Sequence, residues 1–290
     1  MGASEASKVY GVSQGRLSEV FEDFLATTKE LIRRHRLTHR EYRAAVDFLC
    51  AVAEHGELKL LLDVFLEATV DAVDSQGRPG TASSVEGPYY VEGAPLMRSP
   101  CTLPHRADEP GARLLFYGTV RDSRGEALAG AMLDVWQADA SGAYSHFDIP
   151  AEVAPYNLRA RVIADERGAF EIRTWMSAPY HIPKDGPTGA LLTALGRHPY
   201  RPAHLHVKLS HERCLPLTTQ LFFEGDPYLD SDVVGAVKAP LVVRLERRDA
   251  PDEIARLGCD GPFYALRYDF VLARRAESQA DTACAKAGVA

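Results

Sequence analysis

Tyr180 is followed 24 and 26 residues later by His204 and His206 in the run Arg201-Pro-Ala-His-Leu-His206. Tyr144 lies upstream in Gly142-Ala-Tyr-Ser-His-Phe147. Alternate side chains of a β-strand leave the same face, so the two imidazoles can aim at one point. Imidazole is a common ligand for iron, copper, zinc and nickel. Two tyrosines brought to that point would add hard phenolate oxygens. A free phenol loses its proton only at about pH 10, but a bound cation stabilises the anion. Two phenolates and two neutral imidazoles suit a hard, highly charged metal, and two phenolates with one hydroxide balance the charge of ferric iron. Taken alone, His-x-His is only weakly diagnostic and more often marks histidines in ordinary hydrogen bonds. Tyrosines of a β-rich chain are usually packing residues with a satisfied hydroxyl.

The elements that would position these residues fall into two parts. Leu17, Val20, Phe21, Phe24, Leu25, Thr28, Leu31 and Ile32 recur with a helical period. Thr38-His-Arg-Glu41 has the form of a capping box opening a second helix through about Glu54. A third helix is expected from Glu57 to Val73, ending before Ser75-Gln-Gly-Arg-Pro-Gly80. From about residue 112 short β-rich runs alternate with turn signals such as Asp122-Ser-Arg-Gly125 and Asp165-Glu-Arg-Gly168. Strands are predicted at Leu114–Val120, Met132–Gln137, Arg161–Ala164, Phe170–Trp175, Ala203–Leu209, Thr218–Phe223, Pro240–Leu245 and Ala265–Leu272. Their number and spacing predict an antiparallel sandwich. The stretch 176–202, poor in strand character, is expected to be a structured loop over the site.

Several segments occur in order along about two-thirds of the chain. They are Ser84-Val-Glu-Gly-Pro-Tyr-Tyr-Val-Glu-Gly-Ala-Pro95 and Leu128-Ala-Gly-Ala-Met-Leu-Asp-Val-Trp-Gln-Ala-Asp139, then the Tyr144 run and Tyr156-Asn-Leu-Arg159. Pro179-Tyr-His-Ile-Pro-Lys-Asp-Gly-Pro187, the histidine run, Thr218-Thr-Gln220 and Gly225-Asp-Pro-Tyr228 complete the set. Together they resemble the intradiol ring-cleaving dioxygenases, specifically the catechol 1,2-dioxygenase group. The resemblance implies a mainly β protein with an α-helical N-terminal dimerisation domain, residues 1–80. An antiparallel β-sandwich catalytic domain holding the iron, residues 81–290, would follow. It also implies a homodimer through the N-terminal helices, with a phospholipid possible at the interface.

Carried over by motif, Tyr144, Tyr180, His204 and His206 are the ligands of one Fe(III) per chain. A catechol, the small aromatic diol substrate, would chelate the metal and displace Tyr180, whose phenolate takes up a substrate proton. Reaction with O2 then cleaves the ring between its two hydroxylated carbons to give cis,cis-muconate, a step of aromatic catabolism. Arg201 would favour negative charge developing on the ring, and Gln220 would bond to substrate or a ligand. Expected pocket residues are Leu60, Asp63, Val85, Pro88, Tyr89, Ile182, Val233 and Val234. The apolar Val85 and Pro88 suit an unsubstituted or lightly substituted ring, and catechol is expected to be the best substrate. Asp63 could accept from a third ring hydroxyl. Pro179-Tyr-His-Ile-Pro183 is also similar to chlorocatechol and hydroxyquinol enzymes, which keeps hydroxyquinol, chlorocatechols and methylcatechols as alternatives.

The bulk properties narrow the rivals. The chain has 290 residues, 46% hydrophobic and 25% charged, as expected of a soluble globular protein. Its net charge of −7 argues against a nucleic-acid partner. Five scattered cysteines with no Cys-x-x-Cys pair favour a reducing cytoplasm. No apolar run is long enough to span a membrane, and the first residues carry neither a signal peptide nor a myristoylation pattern. The tail beyond Arg275, rich in alanine and polar residues, is expected to be frayed. A non-catalytic β-sandwich lipid-binding protein would account for the fold and the apolar stripe, but not for the ordered Tyr, Tyr, His, His and Arg set. A zinc hydrolase using His204 and His206 ranks below both, because no His-Glu-x-x-His or similar motif supports it.

Overall fold

The computed structural model describes residues 11–152 and 154–275, so the tail beyond Arg275 and Cys284 lie outside the described residues. By backbone proximity the chain forms two units, Met1–Gly56 and Glu57–Ala290. In the first, α1 (Gln14–His35) starts at Ser13, whose hydroxyl accepts from the Arg16 N–H. Helix α2 (His39–Glu54) opens with the expected capping box. Thr38 Oγ1 accepts from the Glu41 N–H at 3.2 Å, and the Glu41 carboxylate accepts from the Thr38 N–H at 2.7 Å. An apolar stripe at helical spacing is usually core. Here Leu17, Val20, Phe21, Phe24, Leu31 and Ile32 are exposed, and α1 has no buried residue.

The second unit begins with the third helix, which is not continuous. It runs as α3 (Leu58–Leu62), a π-helical turn at Asp63–Glu67, and α4 (Ala68–Asp74). A π-turn widens the helix and shifts the angular position of everything after it, and such turns are frequent at functional sites. This one carries Asp63, Val64 and Glu67. Lys238 donates to Asp71 at 2.6 Å and ties α4 to the β-structure.

The strands are β1 (Leu96–Arg98), β2 (Cys101–Thr102), β3 (Arg113–Asp122), β4 (Met132–Gln137), β5 (Arg159–Ile163), β6 (Ala169–Trp175) and β7 (Tyr180–His181). After α5 (Pro187–Ala194) come β8 (Tyr200–Arg201), β9 (His204–Ser210), β10 (Leu217–Phe223), β11 (Val242–Val243) and β12 (Glu246–Arg248). Helix α6 (Pro251–Leu257) precedes β13 (Phe263–Arg267) and β14 (Phe270–Leu272). One sheet has the order β1-β5-β4-β9-β10-β11 and the other β12-β13-β3-β6-β2, with β14 also pairing β3. Leu114, Phe116 and Ile172 from the second sheet meet Val135, Val207 and Leu221 from the first in one apolar core.

The sheets are mixed, which corrects the expectation of a purely antiparallel sandwich. The central pairs β3–β6, β4–β5, β4–β9 and β9–β10 are antiparallel. By contrast β1–β5, β2–β6, β10–β11, β13–β3 and β14–β3 are parallel. Regular alternation and tight turns mark the central strands. Parallel neighbours require long connections, which leave no local signal. The predicted strand at Pro240–Leu245 is a 3₁₀ turn, Ala239–Leu241, followed by β11. The predicted strand at Ala265–Leu272 is split into β13 and β14. The stretch 176–202 is more ordered than a loop, since β7, α5 and β8 lie within it. Pro187 suits the first turn of α5, and the Glu57 carboxylate, far off in sequence, accepts from the Thr188 N–H at 2.8 Å.

Candidate metal centre

Strand β9 places His204 and His206 on one face, both about 1% exposed. The register sets His206 between Trp136 of β4 and Gln220 of β10. Trp136 stacks on the His206 ring at 4.5 Å and 10°, fixing its plane. His204 Nδ1 lies 2.7 Å from the Pro202 carbonyl, so it must donate there and leave the lone pair on Nε2. The two Nε2 atoms stand 2.9 Å apart. Burial, and then the Arg201 charge, push the His204 pKa down to about 3. Burial, His204 and Arg201 push His206 well below its ordinary value. Both imidazoles are therefore neutral at pH 7 and ready to act as ligands.

The tyrosines reach the same place from two loops. Tyr144 follows a tight turn in which the Asp139 carboxylate accepts from Ser141 N–H at 2.8 Å and Ala143 N–H at 3.0 Å. Gly142, at φ 85°, is the close-approach point, since a Cβ there would meet the Pro179 carbonyl and the Tyr180 Cβ at 3.0 Å. Arg159 holds this loop from below: its Nε donates to Ser145 Oγ at 2.7 Å and its Nη1 to the Tyr89 carbonyl at 2.6 Å. Tyr180 comes from β7, paired with Arg201 in β8. The Tyr144 and Tyr180 rings meet edge-on at 5.2 Å, and Tyr180 lies 5.6 Å from the His204 ring. Burial raises both phenol pKa values, and the Arg201 charge opposes that rise.

The Tyr144 hydroxyl and His206 Nδ1 are buried without a hydrogen-bond partner, although buried polar groups normally find one. Two nitrogens about 2.1 Å from one metal and at a right angle stand about 3 Å apart, close to the observed separation. Among the described residues no three or more His, Cys, Asp or Glu gather to hold a metal, so a centre here must draw on the phenols. The donor set fits ferric iron on these observations.

Arg201 is 2% exposed, and its guanidinium faces this group. Its Nε donates to Asp232 Oδ1 at 3.1 Å and its Nη2 to Gln220 Oε1 at 2.8 Å, while Nη1 stands 3.4 Å from His204 Nε2. Gln220 passes the connection on, donating to the Val85 carbonyl at 2.7 Å. Burial works against the charge of Arg201, but Tyr180 and Asp232 outweigh it and raise its pKa. Asp232 was missed in the sequence. The available signal was an acid immediately before the two valines expected to line the pocket.

A narrow cleft of about 20 Å³ opens beside the tyrosines, lined by Leu60, Asp63, Val85, Pro88, Tyr89, Ile182 and Val234 together with Tyr180 and Arg201. Val233 does not line it: it is buried in the adjacent apolar cluster, its N–H bonded to the Tyr200 carbonyl. The two valines are the central residues of a turn closed by the Gly235 N–H on the Asp232 carbonyl, and Val234 is the one that lines the cleft. Val64, Glu67 and Gly87 also line it. Tyr89 stacks on Tyr144 at 4.5 Å and 7°. Burial raises the carboxyl pKa of Asp63 and of Glu67.

A mixed β-sandwich that brings two neutral histidines, two tyrosines and a buried arginine together carries a donor set that fits a non-haem metal site. Residues 85–274 match the family model described as dioxygenase, and residues 14–81 match catechol dioxygenase N terminus. The chain is 45% identical over 244 residues to chlorocatechol 1,2-dioxygenase of Rhodococcus opacus, covering 83% of this chain and 95% of that one. It is 34% identical to catechol 1,2-dioxygenase of Acinetobacter baylyi, covering 89% and 86%. The crystal structure of hydroxyquinol 1,2-dioxygenase from Pseudomonas putida DLL-E4 superposes with a TM-score of 0.83 at 34% identity, covering 94% and 97%. The chain belongs to the intradiol ring-cleaving dioxygenase family and is an intradiol 1,2-dioxygenase. That family uses non-haem iron.

Proposed function

We propose that this enzyme holds one ferric ion per chain through Tyr144, Tyr180, His204 and His206 and cleaves catechol with O2 to cis,cis-muconate. The observation that carries the reading is the convergence of four buried side chains, with the Tyr144 hydroxyl unpartnered and His204 Nε2 and His206 Nε2 2.9 Å apart. A ferric ion held by these residues would supply Lewis acidity toward the catechol oxygens and make the ring reactive toward O2. The protein's own residues do the rest. Tyr180 has the mobile role: the cleft beside it is too small for an aromatic ring, so entry requires a wall to move. As a free phenolate, its oxygen would accept a substrate proton and become the phenol. A phenol and a catechol hold protons with similar strength, so the transfer costs little. Arg201, held by Asp232 and Gln220, presents fixed positive charge where negative charge grows on the ring. Apolar Val85, Pro88, Ile182 and Val234 exclude water.

The largely apolar lining favours the unsubstituted ring, with chlorocatechols and methylcatechols turned over more slowly. Asp63 in the lining favours the second reading, a hydroxyquinol whose third hydroxyl donates to that carboxylate. Two measurements test the proposal. The purified protein should show a red-brown tyrosinate-to-iron band that moves to longer wavelength when catechol is added anaerobically. Protein that stays colourless after iron reconstitution would overturn it. The kcat/KM for catechol should exceed that for hydroxyquinol; the reverse order by a wide margin transfers the reading to hydroxyquinol.

We also infer a homodimer formed through the exposed stripe of α1, whose apolar side chains suit a phospholipid tail. Exposed apolar faces of this kind mark interaction surfaces. Light scattering should give twice the chain mass of 31.8 kDa, and Phe21→Glu with Phe24→Glu should give monomer. A wild-type monomer would end this reading. Among the described residues no helix is long and apolar enough to cross a membrane. The described cysteines Cys50, Cys101, Cys214 and Cys259 are free, which suits a reducing cytoplasm.

A further inference from the structure

A second cavity, of about 220 Å³, lies on the outer face of the sheet formed by β3 and β6, lined by residues of β2, β3, β6, β13 and the end of α6. Arg113 of β3 is directly opposite Trp175 of β6, and Leu115 opposite Arg173, so all four side chains share that face. Leu115, Leu257 and Phe263 form an apolar floor belonging to a small cluster of their own. Arg113, Arg173 and His105 stand around it.

Arg113 is half-buried and lacks an ion-pair partner among the described residues. Its guanidinium lies on the Trp175 ring at 3.9 Å, and the His105 ring meets the same indole at 4.3 Å. Stacking occupies the face of a guanidinium and leaves its N–H edges free, the geometry that receives a carboxylate in two parallel hydrogen bonds. Arg173 donates to Glu171 at 3.0 Å, a partly exposed pair of the kind that contributes little to stability and is readily exchanged. The carbonyl end of α6 also faces this region. Its Ala255 and Ile254 carbonyls are capped by the Gly258 and Cys259 N–H groups, so they do not present bare acceptors. Cationic edge and apolar floor together select a ligand with a carboxylate at one end and a flat apolar body. The volume, below the range of drug-sized sites, limits that body to a single ring.

We propose that this cavity is a second binding site, separate from the metal centre, for a small aromatic carboxylate. Arg113 and Arg173 bind the carboxylate, and Leu115, Leu257 and Phe263 receive the ring. A free phosphate would leave the apolar floor uncovered.

Benzoate is the probe, titrated into the full-length iron-loaded enzyme by calorimetry. Arg113→Ala and Arg173→Gln should each weaken benzoate binding about tenfold or more, the loss expected for a charged hydrogen-bond donor. Catechol turnover without benzoate should stay at the wild-type level in both. Arg113→Lys should recover only part of the affinity, because it keeps the charge and loses the paired N–H edge. If Arg113→Ala lowers the melting temperature, Arg173→Gln carries the test, since Arg173 is open to solvent on one side. Benzoate affinity unchanged in the Arg113→Ala, Arg173→Gln double variant would overturn the proposal. Inorganic phosphate binding as tightly as benzoate would do the same. Benzoate acting only as a competitor of catechol, equally in wild type and both variants, would place it at the metal centre and also refute the second site.

Discussion

His206→Ala is expected to purify without stoichiometric iron, without colour and with dioxygenase activity reduced to background. The fold should survive. His206 sits in the centre of a sheet between Trp136 and Gln220, and its loss leaves a cavity rather than an uncompensated charge, because burial already keeps the ring neutral. The wild-type metal-free protein carries an orphaned His206 Nδ1 and an orphaned Tyr144 hydroxyl. Removing the ring relieves one of these at the cost of its stacking on Trp136. Iron analysis, the visible spectrum and the far-UV circular dichroism spectrum separate the outcomes. Native secondary structure without iron supports the ligand role. A folded variant that retains iron and the tyrosinate band would exclude His206 from the centre.

The same residue shows how much of the site was legible. His204 and His206 alternate along one strand, and that period of two puts both on one face without knowledge of the fold. The spacing from Tyr180 and Tyr144 could be read only by resemblance, since what joins them is a glycine turn at Gly142 and a two-residue ribbon pairing Tyr180 with Arg201. The central strands were legible for the same periodic reason, and Met132–Gln137 appears with its predicted limits. The edge strands were not. β1 and β2 are two or three residues long and pair in parallel with partners more than sixty positions away. Such pairing is decided by what the rest of the sheet leaves unpaired. The π-turn at Asp63–Glu67 has no sequence signature either, yet it carries two acids into the lining of the cleft. Tyr156-Asn-Leu-Arg159 was recognised as a motif without a role. The structure supplies one, because Arg159 ties the Tyr144 loop to the backbone of Tyr89.

Asp232→Asn is expected to cost about 3–5 kcal/mol, the range for breaking a buried ion pair by removing one partner. For a chain of this size that corresponds to a melting temperature lower by about 10 °C. The Arg201 and Asp232 side chains are 3% and 0% exposed. The carboxylate also accepts from the Ala236 N–H at 3.0 Å, so an amide there loses both the charge and an acceptor. Burial pushes the Asp232 pKa up, but the Arg201 charge and its hydrogen bonds outweigh that and leave it below the ordinary aspartate value. A carboxyl with a depressed folded pKa stabilises the protein fully above its unfolded pKa, about 3.9, and the contribution fades as pH falls toward the folded value. The difference between wild type and Asp232→Asn should therefore be constant from pH 5 to 8 and shrink only below about pH 4. His204 is shifted in the same direction in the metal-free protein. Its folded pKa of about 3 lies below the unfolded value, so the unfolded chain binds the extra proton and stability falls from about pH 6.5 downward in both proteins. Asp232 and His204 act on each other, so the comparison rests on pH 5 and above, where His204 stays neutral in the folded protein. Activity should fall as well, since Arg201 loses the carboxylate that fixes its Nε edge and keeps Gln220 on Nη2. Urea titrations of the metal-free proteins at pH 7 and pH 5 measure the stability difference directly. A gap below 1 kcal/mol at pH 7 would mean that solvent reaches Arg201, and that its charge is not stored for the reaction.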